Sequence, residues 1–70
     1  MGEDAKIILL MQEVYQPGDP ARSCAANALI RALRAKRDLC REEDRIAREV
    51  ALSSGAHGAE EVRRLCRLVA

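Results

Sequence analysis

No glycine and no proline stands between Pro20 and Gly55, so no helix-breaking residue interrupts this part of the chain. Within it, apolar residues recur at alternating steps of three and four, the heptad spacing of helices that pack lengthwise against each other. The positions of this heptad seam are Ala25, Leu29, Ala32, Lys36, Leu39, Glu43, Ile46 and Val50. The pattern predicts one long helix over 20–53 in preference to two closely joined helices, the second capped by Asp38.

Two shorter helices are expected on either side of this segment. Residues 4–15 carry apolar side chains at helical spacing, and Asp4 is placed to cap the first turn. The apolar run 7–10 would also suit a strand, but no clear second strand is present to pair with it. Residues 59–69 begin with glutamates and end with arginines, an order that complements the helix dipole.

The turns between these helices are marked by short polar residues, proline and glycine. Asp19 followed by Pro20 is a strong helix start, because the carboxylate caps free N–H groups and proline suits the first helical position. A loop is expected over 53–58, with Gly55 as the C-cap of the preceding helix. The chain is therefore predicted to be all-α: one domain over 1–70, a small bundle of three to four helices with a long central helix or closely joined pair.

The composition gives such a bundle a thin core. The chain has 70 residues, no Phe and no Trp, and its one aromatic residue is Tyr15. Domains of this size bury little surface and are marginally stable without a metal, a disulfide or a partner. We therefore expect self-association to complete the bundle.

Two charged residues interrupt the heptad seam, and they suggest how two copies would align. In an antiparallel homodimer centred between Leu39 and Cys40, Lys36 would lie opposite Glu43 of the second copy and fix the register. The predicted interface residues are Leu29, Ala32, Lys36, Leu39, Glu43, Ile46 and Val50. The alternative is that both charged side chains reach solvent at the rim of an intramolecular core.

The basic residues favour a solvated surface over a nucleic-acid site. The formal net charge is only +1, from 12 basic and 11 acidic residues, whereas polyanion binding depends on a large positive excess. An arginine stripe on the face opposite the seam comprises Arg34, Arg37, Arg41, Arg45 and Arg48. Acidic residues flank the stripe, and Glu42–Arg45 and Asp44–Arg48 have the intrahelical pairing distances of three and four, so we expect this stripe to be largely neutralised.

A helix-turn-helix reading of 45–68 is the alternative function. It would make the last helix a recognition helix whose side chains touch DNA through Arg63, Arg64 and Arg67. Two features count against it. The connection over 53–58 is longer than the usual turn, and Glu60 and Glu61 would repel phosphate.

The remaining reactive residues give no enzyme or metal motif. Cys24, Cys40, Cys66 and His57 are donors of the kind that bind zinc, but no two have chelate spacing. Phosphate-binding glycine loops and nucleophile motifs are missing, so we expect neither enzymatic activity nor a cofactor. Reduced cysteines, no membrane-spanning run and no signal peptide indicate a cytoplasmic protein that does not enter a membrane.

Together these features indicate a non-enzymatic helical module that binds other proteins through an apolar helix face. We expect it to be homo-oligomeric and to serve as an adaptor or regulatory subunit. The alternative is a small DNA-binding transcriptional regulator with a helix-turn-helix-like C-terminal half.

Overall fold

The computed structural model describes residues 2–70 and contains three helices. These are α1 (Glu3–Val14), α2 (Pro20–Arg34) and α3 (Leu39–Val69). No strand occurs within the described residues, so the all-α prediction is confirmed. None of these helices is both long and apolar enough to cross a lipid bilayer.

The starts of α1 and α2 show one wrong and one correct prediction from capping residues. Asp19 caps α2, because its carboxylate accepts the N–H groups of Ala21 and Arg22 at 3.1 and 3.2 Å. Asp4 does not cap α1, whose N-cap is Gly2 and has no side-chain cap. Asp4 instead lies within the first turn, where its negative charge interacts favourably with the positive end of the helix dipole.

The single helix predicted over 20–53 is wrong, because α2 ends at Arg34. The N–H groups of Lys36 and Arg37 donate to the carbonyls of Leu33 and Ala32, both at 3.0 Å. This is the Schellman pattern that closes many helix C-termini, and glycine normally occupies its left-handed position. Here the left-handed residue is Lys36, with φ 61°, so the sequence gives no visible breaker.

The alternative of two closely joined helices is therefore the correct one. Asp38 caps the new helix, accepting the N–H of Cys40 at 2.9 Å. We call residues 35–38, which connect α2 to α3, the hinge.

A straight helix of 31 residues would measure about 46 Å, yet the longest extent of the molecule is 29 Å. The helix bends at Gly55, where φ is 68° and ψ is −163°, a combination that essentially only glycine adopts. This one residue replaces the loop predicted over 53–58. We call 39–54 the first arm of α3 and 56–69 its second arm.

The second arm folds back along the first. Near the bend, the backbone of Gly58 lies against Val50, and further along, Arg63 Nη1 lies 2.8 Å from Glu43 Oε2. In a straight helix these pairs would be far apart, since residues eight positions apart are separated by about 12 Å.

The first arm also lies antiparallel to α2. Cys24 Sγ is 3.5 Å from Ser53 Oγ at one end, and Ala32 and Ile46 line one surface cleft at the other. Within one chain, α2 and the first arm therefore pair in nearly the same register that the sequence predicts for the two copies of an antiparallel homodimer. The core of the three helices is aliphatic, and its largest fully buried side chains are Leu10, Leu29, Ile46, Val62, Leu65 and Val69.

Candidate interaction surface

Helix α1 has apolar side chains on both of its sides. On the inner side Leu10 is fully buried, and Ile7, Leu9 and Val14 pack partly against the core. On the outer side the exposed fractions of Ile8, Met11 and Tyr15 are 57%, 37% and 77%. A cluster of large apolar side chains on a surface helix usually marks a contact surface, and nothing within the described residues 2–70 covers these three.

The outer residues form one line along α1. Asp4, Ile8, Met11 and Tyr15 follow each other at steps of four, three and four, the spacing of a single helix face. Tyr15 is the C-cap residue of α1, directly after the last helical residue, with φ −89° and ψ 3°. We call these four residues the α1 stripe.

Three polar contacts hold α1 on its inner side and its ends, leaving the α1 stripe turned outward. Arg64 Nη2 binds Glu13 Oε1 at 2.8 Å, and Lys36 Nζ binds Glu3 Oε1 at 3.0 Å. The Ser23 hydroxyl also donates to the carbonyl of Val14 at 2.9 Å. The helix is thus anchored to α2, the hinge and the second arm of α3.

A buried carboxylate joins the three helices. Glu61 accepts hydrogen bonds from Arg64 Nε and Nη2 at 3.1 and 2.9 Å, and Arg22 Nε of α2 lies 3.6 Å away. Arg64 also binds Glu13 of α1. The cluster therefore contains at least one charged residue from each of the three helices. The hydrogen bonds from Arg64 lower the pKa of Glu61, which keeps the buried carboxylate charged.

The three arginines proposed for DNA contact have different surroundings. Arg63 binds Glu43 and Asp44 at 2.8 and 2.9 Å. Arg64 belongs to the Glu61 cluster described above, while Arg67 is exposed near the end of α3. Two of the three guanidinium groups therefore already hold carboxylates of their own chain.

Acidic residues accompany the arginine stripe: of the two predicted pairs Glu42–Arg45 forms, whereas Asp44 binds Arg63 in place of Arg48. Glu42 accepts hydrogen bonds from Arg37 Nε and Arg45 Nε at 2.8 and 2.9 Å, and Arg45 also binds Glu49 at 2.9 Å. The hydrogen bond from Arg45 is the main reason that the pKa of Glu42 is lowered. The positive field of this face is correspondingly reduced.

Most of the predicted interface residues lie inside the chain's own core. Four of them are buried there: Leu29, Ala32, Ile46 and Val50. Leu39 is partly buried and packs against them. Lys36 and Glu43 do not meet, because they bind Glu3 and Arg63 respectively. Their pairing between two copies stays a prediction that requires α2 and α3 to separate.

Cys40 and Cys66 line one surface cleft, whereas Cys24 lies beside Ser53 and His57 beside Asp19. Cys40 is exposed, and burial raises the pKa of the Cys66 thiol to about 12, so that thiol stays protonated. Within residues 2–70, no three side chains of His, Cys, Asp or Glu are grouped so that they could hold a metal ion.

His57 connects the bend of α3 to the start of α2. Its Nε2 lies 3.0 Å from Asp19 Oδ2, and Asp19 is the N-cap of α2. This hydrogen bond raises the pKa of His57 above its ordinary value of 6.5 and lowers that of Asp19 below 3.8. His57 and Asp19 are therefore both charged at mildly acidic pH.

We expect the His57–Asp19 contact to stabilise the fold most between the ordinary pKa values of the two groups. A raised histidine pKa adds stability below pH 6.5 that is lost as pH rises through the folded-state value. A lowered aspartate pKa adds stability above pH 3.8 that is lost as pH falls. Thermal unfolding of the wild type and of His57→Gln from pH 4 to 9 measures this. The difference in Tm between the two proteins should shrink above neutral pH. A difference that does not change with pH would contradict a stabilising His57–Asp19 contact.

The α1 stripe is the feature that the sequence-based choice of interface omitted. Ile8 and Tyr15 already form a second row at helical spacing, beside the row that contains Leu10. Neither a protein-family model, nor a curated protein, nor a solved structure matches this chain. The functional inference therefore depends on the surface of the molecule itself.

Proposed function

We propose that this chain is a non-enzymatic helical interaction module that pairs with a second copy through the α1 stripe. The observation that carries the proposal is the exposure of Ile8, Met11 and Tyr15 in one line on a helix whose other side already packs on the core. Such a module would act as an adaptor or regulatory subunit whose state depends on its own concentration.

The residue types of the α1 stripe are those of protein interfaces. Tyrosine and methionine are enriched in the centres of protein–protein contacts relative to the rest of the surface. The only aromatic residue of the chain, Tyr15, is 77% exposed when the thin aliphatic core could have used its area. That placement favours a role for Tyr15 in binding over one in folding.

The spacing of the α1 stripe is the same in both directions, which suits a two-fold contact. Steps of four, three and four are palindromic, so two antiparallel α1 helices would place Ile8 opposite Met11 of the second copy. The same arrangement places the phenol of Tyr15 near the carboxylate of Asp4 of the second copy. The phenol O–H would donate to that carboxylate, a charge-assisted hydrogen bond at each end of the contact.

The size of the α1 stripe predicts weak, reversible pairing. Three partly exposed side chains offer roughly 300 Å² of apolar surface per copy, less than the ~800 Å² per partner of a typical stable complex. We therefore expect a dissociation constant of roughly micromolar or weaker. Association of this strength responds to changes in protein concentration, as a regulatory contact must.

Ile8→Glu is expected to weaken self-association at least about ten-fold, because it places a charge in the centre of the pairing face. Its Tm should stay near that of the wild type, since the side chain is already 57% exposed. Sedimentation equilibrium between low and high micromolar concentration measures the dissociation constant.

The matched control is Gln12→Glu, which adds the same charge to an exposed position of α1 beside the α1 stripe. Its dissociation constant should remain within about two-fold of the wild type. A wild-type protein that is monomeric at high micromolar concentration, or an Ile8→Glu variant that pairs as the wild type does, would refute the proposal.

The DNA-binding alternative has weaker support. Binding DNA through Arg63 or Arg64 would require each guanidinium to leave carboxylates at 2.8 to 3.1 Å. Retention of the protein on DNA that falls steeply with salt concentration would nevertheless favour that function over ours.

A further inference from the structure

We infer that two copies of this chain can also exchange α2, by straightening the hinge so that 20–54 becomes one continuous helix in each copy. In this exchanged dimer, α2 of one copy packs on the first arm of the other. The inference goes beyond the proposed function, because it involves the hinge and the heptad seam and none of the α1 stripe.

The first observation is that the hinge is composed of residues that a helix accepts. Residues 35–38 contain neither glycine nor proline, and Lys36 holds the left-handed conformation with φ 61°. That conformation is unfavourable for every residue with a side chain, and lysine is a good helix former. Straightening the hinge relieves this strain.

The second observation is that the heptad spacing continues through the hinge. Ala32, Lys36 and Leu39 follow at steps of four and three, in phase with the seam on both sides. Two helices separated by a turn have no need of a common phase, since each orients its own apolar face. A common phase is what one straight helix with a single apolar face requires.

The third observation is that exchange preserves the core. The first arm and α2 are antiparallel within the chain, as the Cys24–Ser53 contact at 3.5 Å shows. Two straightened copies related by a two-fold axis near Leu39 would repeat these contacts between chains. Lys36 would then approach Glu43 of the second copy, a pairing that the closed chain lacks.

The test compares Lys36→Gly with Lys36→Ala, both in an Ile8→Glu background that removes pairing through the α1 stripe. Glycine adopts the left-handed conformation freely and disfavours a continuous helix, whereas alanine has the opposite preferences. With two hinges per dimer, the dimer dissociation constants of the two variants should differ by about 1,000-fold. Each protein is refolded at high micromolar concentration with a reducing agent and separated by size-exclusion chromatography.

We expect Lys36→Ala to yield a dimer that persists on dilution, and Lys36→Gly to yield monomer. Exchange requires the core to open, so the dimer should dissociate far more slowly than a surface contact. Equal dimer fractions in the two variants, a dimer that dissociates within seconds of dilution, or no dimer after refolding would each overturn the inference. The α1 pairing is unaffected by any of these results, because it is absent from this background.

A crosslink identifies which chain supplies α2. Ser53→Cys places a second thiol beside Cys24, and Cys40→Ser removes the exposed cysteine from the reaction. After oxidation, an exchanged dimer should migrate as a covalent dimer on a denaturing gel without reductant. If the isolated dimer instead yields single chains with an internal crosslink, it consists of closed chains, and the inference is wrong.

Discussion

Gly58→Val is expected to reduce the free energy of unfolding by about 3 kcal/mol, a large fraction of what a domain of this size possesses. A Cβ at position 58 would lie 2.6 Å from Ser54 Cβ and 2.8 Å from Val50 Cγ1. Both distances are below van der Waals contact, and the carbonyl oxygen of Val50 at 3.3 Å is a further tight contact. The two arms of α3 must therefore move apart.

Urea unfolding followed by far-UV circular dichroism measures this effect. The control is Ala56→Val, which adds a side chain of the same shape to an exposed position of the same arm. It should change the free energy of unfolding by no more than about 0.7 kcal/mol, the helix-propensity difference. If the two variants were equally stable, the arms could not be packed at Gly58.

Leu10→Ala is expected to cost about 3 kcal/mol, by loss of buried apolar surface and formation of a cavity. Leu10 is the one residue of α1 that is fully buried. A helix of 12 residues is marginal by itself in water, so α1 should lose its structure when this anchor is shortened. Hydrogen exchange of the α1 amides should then become fast before the rest of the protein unfolds.

Ile8→Ala is the matched control for Leu10→Ala, because it shortens an aliphatic side chain on the opposite side of the same helix. We expect a loss of no more than about 0.5 kcal/mol, since the side chain is exposed. Equal losses in the two variants would mean that α1 packs through a different face. The α1 stripe would then be buried, and the proposed pairing would lose its basis.

For α2 and the first arm of α3, the sequence predicted which face is apolar and covered, but it did not predict which chain covers that face. The heptad seam correctly marks Leu29, Ile46 and Val50 as buried. A heptad pattern carries no information on whether the covering helix belongs to the same chain or to a second copy. That choice depends on the hinge, whose turn requires a left-handed Lys36 in place of the usual glycine.

At the hinge a turn forms without a helix-breaking residue, whereas at the bend of α3 several residues typical of loops form no loop. A cluster of serine and glycine at 53–58 predicts a loop, yet Gly55 alone turns the chain. Gly58, the other glycine of that cluster, lies within the second arm and permits its close approach to Val50. The sequence correctly marks Gly55 as the residue where the first helical segment ends, but it does not show that Gly58 admits a neighbouring helix.

The candidate site was partly visible in the sequence. Helical spacing places Ile8, Met11 and Tyr15 on one face of α1, but nothing in the sequence says which of its two apolar faces meets the core. The structure decides this through Leu10, which is buried, and through the Arg64–Glu13 contact on the inner side. The proposed self-pairing follows from that assignment.

Pairing of two α1 stripes is tested most directly by isotope-filtered NMR on a mixture of ¹³C-labelled and unlabelled native protein that has never been refolded at high concentration. We expect intermolecular contacts between the methyl groups of Ile8 and Met11, and between the Tyr15 ring and residues near Asp4. Intermolecular contacts confined to other surfaces, or none at concentrations where sedimentation shows dimer, would contradict it.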